Sequence, residues 1–195
     1  MSVLPRRPPP EREALIKSAT AHLERLIGFD TTSRGPNLAL IDYAEAVLKP
    51  LGAACLRVPS ADGAKANLIA ALGPRREGGV VLSGHTDVVP VDGQPWSSDP
   101  FRLEQRGSRL YGRGTCDMKG FLALALAIAP DLAGAPLARP VILAFSYDEE
   151  IGCLGAPGLI DALLTSWPRP GLVVVGEPTN MQTVGGHKGI SVRRV

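Results

Sequence analysis

At 195 residues, with 45% hydrophobic and 21% charged side chains, the chain has the length of one globular domain and the material for a sizeable core. The net charge is +2 and aromatics are only 5%, which excludes a basic stripe or a stacking platform for nucleic acid and a polybasic face for an anionic membrane. Its longest apolar run, "FLALALAIA", is far short of the roughly 18 residues that a bilayer span requires.

The opening "MSVLPRRPPPERE" lacks an apolar h-region and does not read as a secretory signal. Residues 1–10 are expected to be disordered. Cys55, Cys116 and Cys153 show no paired spacing, so they read as reduced thiols of a cytoplasmic chain. Leu15, Ile16, Ala19, Leu23, Leu26 and Ile27 recur near helical spacing and predict a helix from Glu11 to Gly28, with His22 on its surface. The loop "DTTSRGPN" leads to a second helix from Leu38 to Leu51. Asn37 suits its N-cap and Gly52 its C′ position.

"ACLRVP", "ANLIAALG" and "GGVVLSGH" read as strands. A Pro-, Asp-, Gly- and Ser-rich loop is expected from Pro90 to Arg106. "GSRLYGRGTCDMKG" then opens a helix from Phe121 to Leu132, apolar on nearly all sides and therefore expected to be covered on both faces. The strand "PVILAFSY", a helix near Gly158 to Thr165, the strand "GLVVVGEP" and a strand-like "GISVRRV" complete the order. Alternating strands and helices predict an α/β fold, a three-layer helix–sheet–helix stack around a mostly parallel mixed sheet. Ligands of such sheets sit beyond the carboxyl ends of the strands.

Three apolar runs end in ionisable groups at that rim. "VVLSG" leads into His85 and Asp87, "VILAFSY" into Asp148, Glu149 and Glu150, and "LVVVG" into Glu177. Asp117 stands just before the apolar helix. Converging carboxylates repel and resist desolvation, so a cation must offset them. Arg113 and Lys119 are the candidates for a purely structural salt-bridge cluster. An imidazole adds nothing to such a cluster, whereas one His with several Asp and Glu is the donor mixture of a hydrolytic zinc site. Asp117, Glu150 and Glu177 against two dications leave one positive charge, which a hydroxide cancels; a carboxylate such as Asp117 can bridge two metals. Asp87 suits an acceptor for the His85 ring N–H. Adjacent side chains on an extended backbone face opposite sides, so Glu149 and Glu150 divide between substrate and metal. A free carboxylate beside the metal suits a general base. Cys116 with His85 is a possible cysteine-hydrolase pair, but it leaves Glu149, Glu150 and Glu177 without a role.

"SGHTDVVPVDG", "LYGRGTCDMKG", "DEEIGCLGA" and "VVGEPT", in that order between residues 83 and 179, resemble the M20 family of zinc aminoacylases and peptidases. "GTCDMKGF", "PVDGQPWSSDPF" and "DTTSRGPNLALIDY" are most similar to its acetylornithine deacetylase branch, with the succinyl-diaminopimelate desuccinylases next. The resemblance implies two zinc ions, or cobalt in their place. It implies metal ligands at His85, Asp117 as the bridge, Glu150 and Glu177, with Asp87 orienting His85 and Glu149 as general base. It also implies a cis Asp117–Met118 bond and a small N-acyl amino acid as the molecule bound: N-acetyl-L-ornithine, cleaved to ornithine and acetate in arginine biosynthesis. Residues 11–195 then correspond to the N-terminal part of a catalytic domain. The family's lid and dimerisation domain, its homodimer and a final histidine to the second zinc would follow His187-Lys188-Gly189 and are not in this sequence. His187 reads as substrate-side or structural. The expectation for these 195 residues is at most one tightly held zinc and activity near background; a non-catalytic metal- or partner-binding remnant is the alternative.

Overall fold

The computed structural model describes residues 9–186, which leaves His187 and the strand-like "GISVRRV" outside the described residues. In chain order the elements are α1 (Pro9–Ile27), α2 (Leu38–Leu48), β1 (Ala54–Pro59), β2 (Ala66–Leu72), β3 (Val80–His85), β4 (Glu104–Arg106), β5 (Arg109–Tyr111), α3 (Lys119–Gly134), β6 (Val141–Ser146), α4 (Ala156–Ser166) and β7 (Leu172–Val175). The main sheet has the order β1-β2-β6-β3-β7. β3 pairs in parallel with β6 and β7, while β2 runs antiparallel to β1 and β6. Four strands therefore point one way and β2 the other, the mostly parallel mixed sheet expected.

The period-2 alternation of the central strands builds the layers. Leu68, Ala70 and Leu72 of β2 and Leu143 and Phe145 of β6 share one core with Leu26, Ile27, Leu40, Ile41, Leu122 and Leu126 of α1–α3. Ile69, Ala71, Ile142 and Ala144 pack on the opposite face with Leu159 and Leu163 of α4. Each fully buried Leu, Ile or Phe contributes about 1.5–3 kcal/mol. No helix among the described residues is long and apolar enough to cross a membrane.

Several local expectations shift. α1 begins at Pro9, so Pro9 and Pro10 lie in a first helical turn, where missing N–H groups cost nothing. α2 stops at Leu48 because Pro50 cannot donate to the helix; the chain tightens into a 3-10 turn over Lys49–Leu51 and leaves through Gly52 at φ 81°. Asn37 sits at the N-cap position of α2 without a side-chain cap bond. Its amide instead bonds both backbone groups of Ala66 and donates to Thr86 Oγ1. The stretch read as a loop up to Arg106 ends in a hairpin strand. β4 and β5 join through Gly107-Ser108, with Arg106 opposite Arg109 and Gly107 at φ 61°, a two-residue turn that glycine favours. α3 buries Leu122, Ala123, Ala125, Leu126, Ala127 and Ala129 but leaves Leu124 50% exposed, so its cover is incomplete. All four residues of β7 are exposed.

Candidate metal centre

The parallel register places the ionisable ends together. His85 lies opposite Ser146 at the end of β6, and Val175 of β7 lies opposite Ser83. Gly176 continues the pairing through its N–H to the Ser83 carbonyl at 3.1 Å. A Cβ at Gly176 would stand 2.0 Å from the Phe121 ring, so the chain approaches α3 closely just before Glu177. Asp117 and Met118, joined by a cis peptide bond, lead directly into α3.

His85 is buried, and its two ring nitrogens face different partners. Nδ1 lies 2.9 Å from the Asp87 backbone carbonyl, while an Asp87 carboxylate oxygen is 3.5 Å away. The nearer acceptor for the ring N–H is therefore the Asp87 main chain rather than the carboxylate expected from the sequence. Nε2 points at carboxylates: Asp117 Oδ1 at 3.1 Å, Glu177 Oε1 at 3.7 Å and Glu149 Oε2 at 3.8 Å.

The Asp87 carboxylate has a further task. It accepts the Ser33 hydroxyl at 2.6 Å and the backbone N–H groups of Glu149 at 3.0 Å and Glu150 at 3.2 Å. Burial would raise its pKa, but His85, then the Ser33 hydroxyl and the Glu149 N–H, hold it below the ordinary value. The backbone after β6 is not extended, contrary to the expectation. Asp148 has φ 55°, and the N–H groups of Gly152 and Cys153 both return to the Glu149 carbonyl at 3.0 Å. The turn still separates the two glutamates. Glu149 groups with His85 and Glu177, and Glu150 with His85 and Asp117, each set with ligand atoms within 4.8 Å of one another.

The electrostatics ask for a cation. Burial, then Asp117 and Glu149, push the Glu150 carboxyl above its usual range. Burial with Asp117 and Glu149 does the same for Glu177 against the pull of His85. Burial disfavours an imidazolium at His85, but Asp87 and Glu177 outweigh it and push the pKa up to about 9. The two bases of the salt-bridge reading turn away. Lys119 donates to the Leu26 and Phe29 carbonyls at 2.9 and 2.8 Å, and Arg113 donates to Gln94 and lies over the Trp96 ring. One imidazole and four carboxylates with no lysine or arginine among them are a donor set for a hard or borderline divalent cation.

The sequence profile of peptidase family M20/M25/M40 matches residues 81–192, more than half of the chain. The chain belongs to this family. An acetylornithine deacetylase from Myxococcus xanthus is 41% identical over 180 residues, covering 90% of this chain and 46% of that protein. The chain thus spans less than half the length of this relative. Human carnosine dipeptidase 1 shares the fold at 22% identity and a TM-score of 0.70, over 87% of this chain and 41% of that one. So does an M20 family metallo-carboxypeptidase from Sulfolobus solfataricus, at 23% identity and a TM-score of 0.69, over 81% of this chain and 37% of that one. M20 membership implies a divalent metal, and the His85 cluster is the candidate place for it.

Elsewhere in this M20 chain, His22 is half-buried rather than on the surface, with Nδ1 2.8 Å from the Tyr43 hydroxyl. The His85 nitrogens face Asp87 and Asp117 rather than Cys116. Cys153 is exposed, with Sγ 3.7 Å from Glu149 Oε1. Sequence reasoning passed over Ser33 and Lys65. Three consecutive hydroxyl residues, Thr31, Thr32 and Ser33, all buried, are the signal that "DTTSRGPN" is scaffold rather than surface loop.

Proposed function

We propose that this chain carries the catalytic centre of a zinc-dependent amide hydrolase that removes the acetyl group of N-acetyl-L-ornithine. The observation that carries the reading is the convergence of His85, Asp117, Glu149, Glu150 and Glu177 on one rim. The 41% identity to an acetylornithine deacetylase supports the substrate. His85, Asp117, Glu150 and Glu177 would hold the metal. Zinc supplies Lewis-acid polarisation of the acyl carbonyl and acidifies water. Asp87 fixes the His85 ring through Nδ1, so that Nε2 faces the carboxylates. Glu149 takes the proton of the attacking water and returns it to the leaving amine. The products are acetate and ornithine.

One observation favours a second reading, a metal-binding chain without turnover. Both candidate ligand sets draw on the same imidazole, His85. Acetate release from N-acetyl-L-ornithine by zinc-loaded protein decides between them. Release that Glu149→Gln abolishes supports the deacetylase. Release of succinate from N-succinyl-diaminopimelate in its place moves the reading to a desuccinylase. Bound zinc with hydrolysis of neither substrate assigns the chain to the second reading.

A further inference from the structure

We propose that Lys65 is a positioning residue for the Glu149–Glu150 turn, acting through Asp148 and Ser33. The inference rests on the metal reading above and extends it to residues outside the cluster. Lys65 stands just before β2 with its side chain 14% exposed. Its ammonium donates to Asp148 Oδ1 at 2.5 Å and to the Ser33 carbonyl at 2.6 Å. Ser33 in turn donates its hydroxyl to the Asp87 carboxylate, which holds the N–H groups of Glu149 and Glu150. The contacts close a ring: Lys65, Ser33, Asp87, the Glu149–Glu150 backbone, Asp148 and Lys65 again.

Two features make the ring more than local packing. Asp148 is buried at positive φ, a conformation that a non-glycine residue keeps only when its surroundings hold it. Lys65 supplies that hold by neutralising a carboxylate that would otherwise join an already negative rim. It thereby takes the first acid of "DEE" out of the cluster and leaves the next two aimed at His85, Asp117 and Glu177. Partners that orient ligands from outside change metal affinity by about 10–100-fold when removed.

Zinc calorimetry on the purified chain tests this without reference to turnover, alongside the melting temperature of the metal-free protein. Lys65→Met is expected to weaken zinc binding about tenfold, and Lys65→Arg, which keeps the positive charge and donors for both acceptors, to restore most of it. Asp148→Asn is expected to weaken binding similarly, and the double variant no more than either single one. If Lys65→Met does not fold, Asp148→Asn and Lys65→Arg carry the same comparison. A folded Lys65→Met or Asp148→Asn that binds zinc as the parent does overturns the proposal, as do losses that multiply in the double variant. A parent chain that binds no zinc overturns the metal reading itself, and so separates the two failures.

Discussion

The Asp87 carboxylate accepts the backbone N–H of Glu149 at 3.0 Å, across 62 residues of sequence. The acid that follows β3 thus holds the turn that follows β6, and the two strands meet in parallel directly below it. Ser33, Asp87, His85, Asp117 and the Glu149–Glu150 backbone are one hydrogen-bonded unit.

Asp87→Ala removes the acceptor of Ser33, Glu149 and Glu150 together. Leaving buried donors unpaired costs about 1–3 kcal/mol each where water cannot reach them. The expected result is a destabilisation of about 2–3 kcal/mol in urea melts and a zinc affinity lowered at least tenfold. Asp87→Asn keeps the shape and is expected to lose less stability than Asp87→Ala.

Glu149→Gln separates base from ligand. Its side chain is placed with His85 and Glu177, yet its assigned work is proton transfer. Turnover is expected to fall about 10²–10⁴-fold while bound zinc stays at the parent level. Elemental analysis beside the acetate assay checks both halves, and loss of zinc would reassign Glu149 as a ligand.

The legible part of the site was the part that chemistry writes into residue types. His85, Glu150 and Glu177 follow apolar strand runs and Asp117 precedes an apolar helix, so the pattern pointed to one rim, where the candidate groups His85–Asp117–Glu150 and His85–Glu149–Glu177 now stand. The supports were not legible because their partners are distant in sequence. Lys65 meets Asp148 across 83 residues and Lys119 reaches the Leu26 carbonyl across 93, and neither pairing leaves a local pattern. The fold shows the same division. Short continuous apolar runs announced β2 and β6, whereas the three-residue strand β4 is too short for such a run, and only Gly107-Ser108 marks its turn.

Lys119 is fully buried, and burial pushes its pKa down to about 7 against the pull of Asp30 and Asp87. It donates to the Leu26 carbonyl in the last turn of α1 and to the Phe29 carbonyl just beyond it. Lys119→Met fills the volume but takes the ammonium from the Phe29 carbonyl and leaves the Leu26 carbonyl with the Phe29 N–H at 3.3 Å. A loss of about 1–3 kcal/mol is expected in thermal or urea unfolding.

Glu45 gives the acid dependence of stability. Arg57, and then Lys49 against the cost of burial, hold its carboxyl below the ordinary 4.5. The unfolded chain therefore takes up a proton at higher pH than the folded one. The contribution is present above pH 4.5 and is lost as pH falls through the folded value. Glu45→Gln is expected to lower stability by about 1 kcal/mol at pH 7, kept small by the partial solvent exposure of Arg57 and Lys49. The gap to the parent should narrow in melts as pH falls below the ordinary value of 4.5.

The most direct test of the central claim is a zinc titration of the purified chain by calorimetry, beside His85→Ala. The account predicts one tightly held zinc per chain and its loss in His85→Ala, because both candidate ligand sets require that imidazole. A parent chain that binds no zinc, or a His85→Ala variant that binds it equally well, would contradict the account.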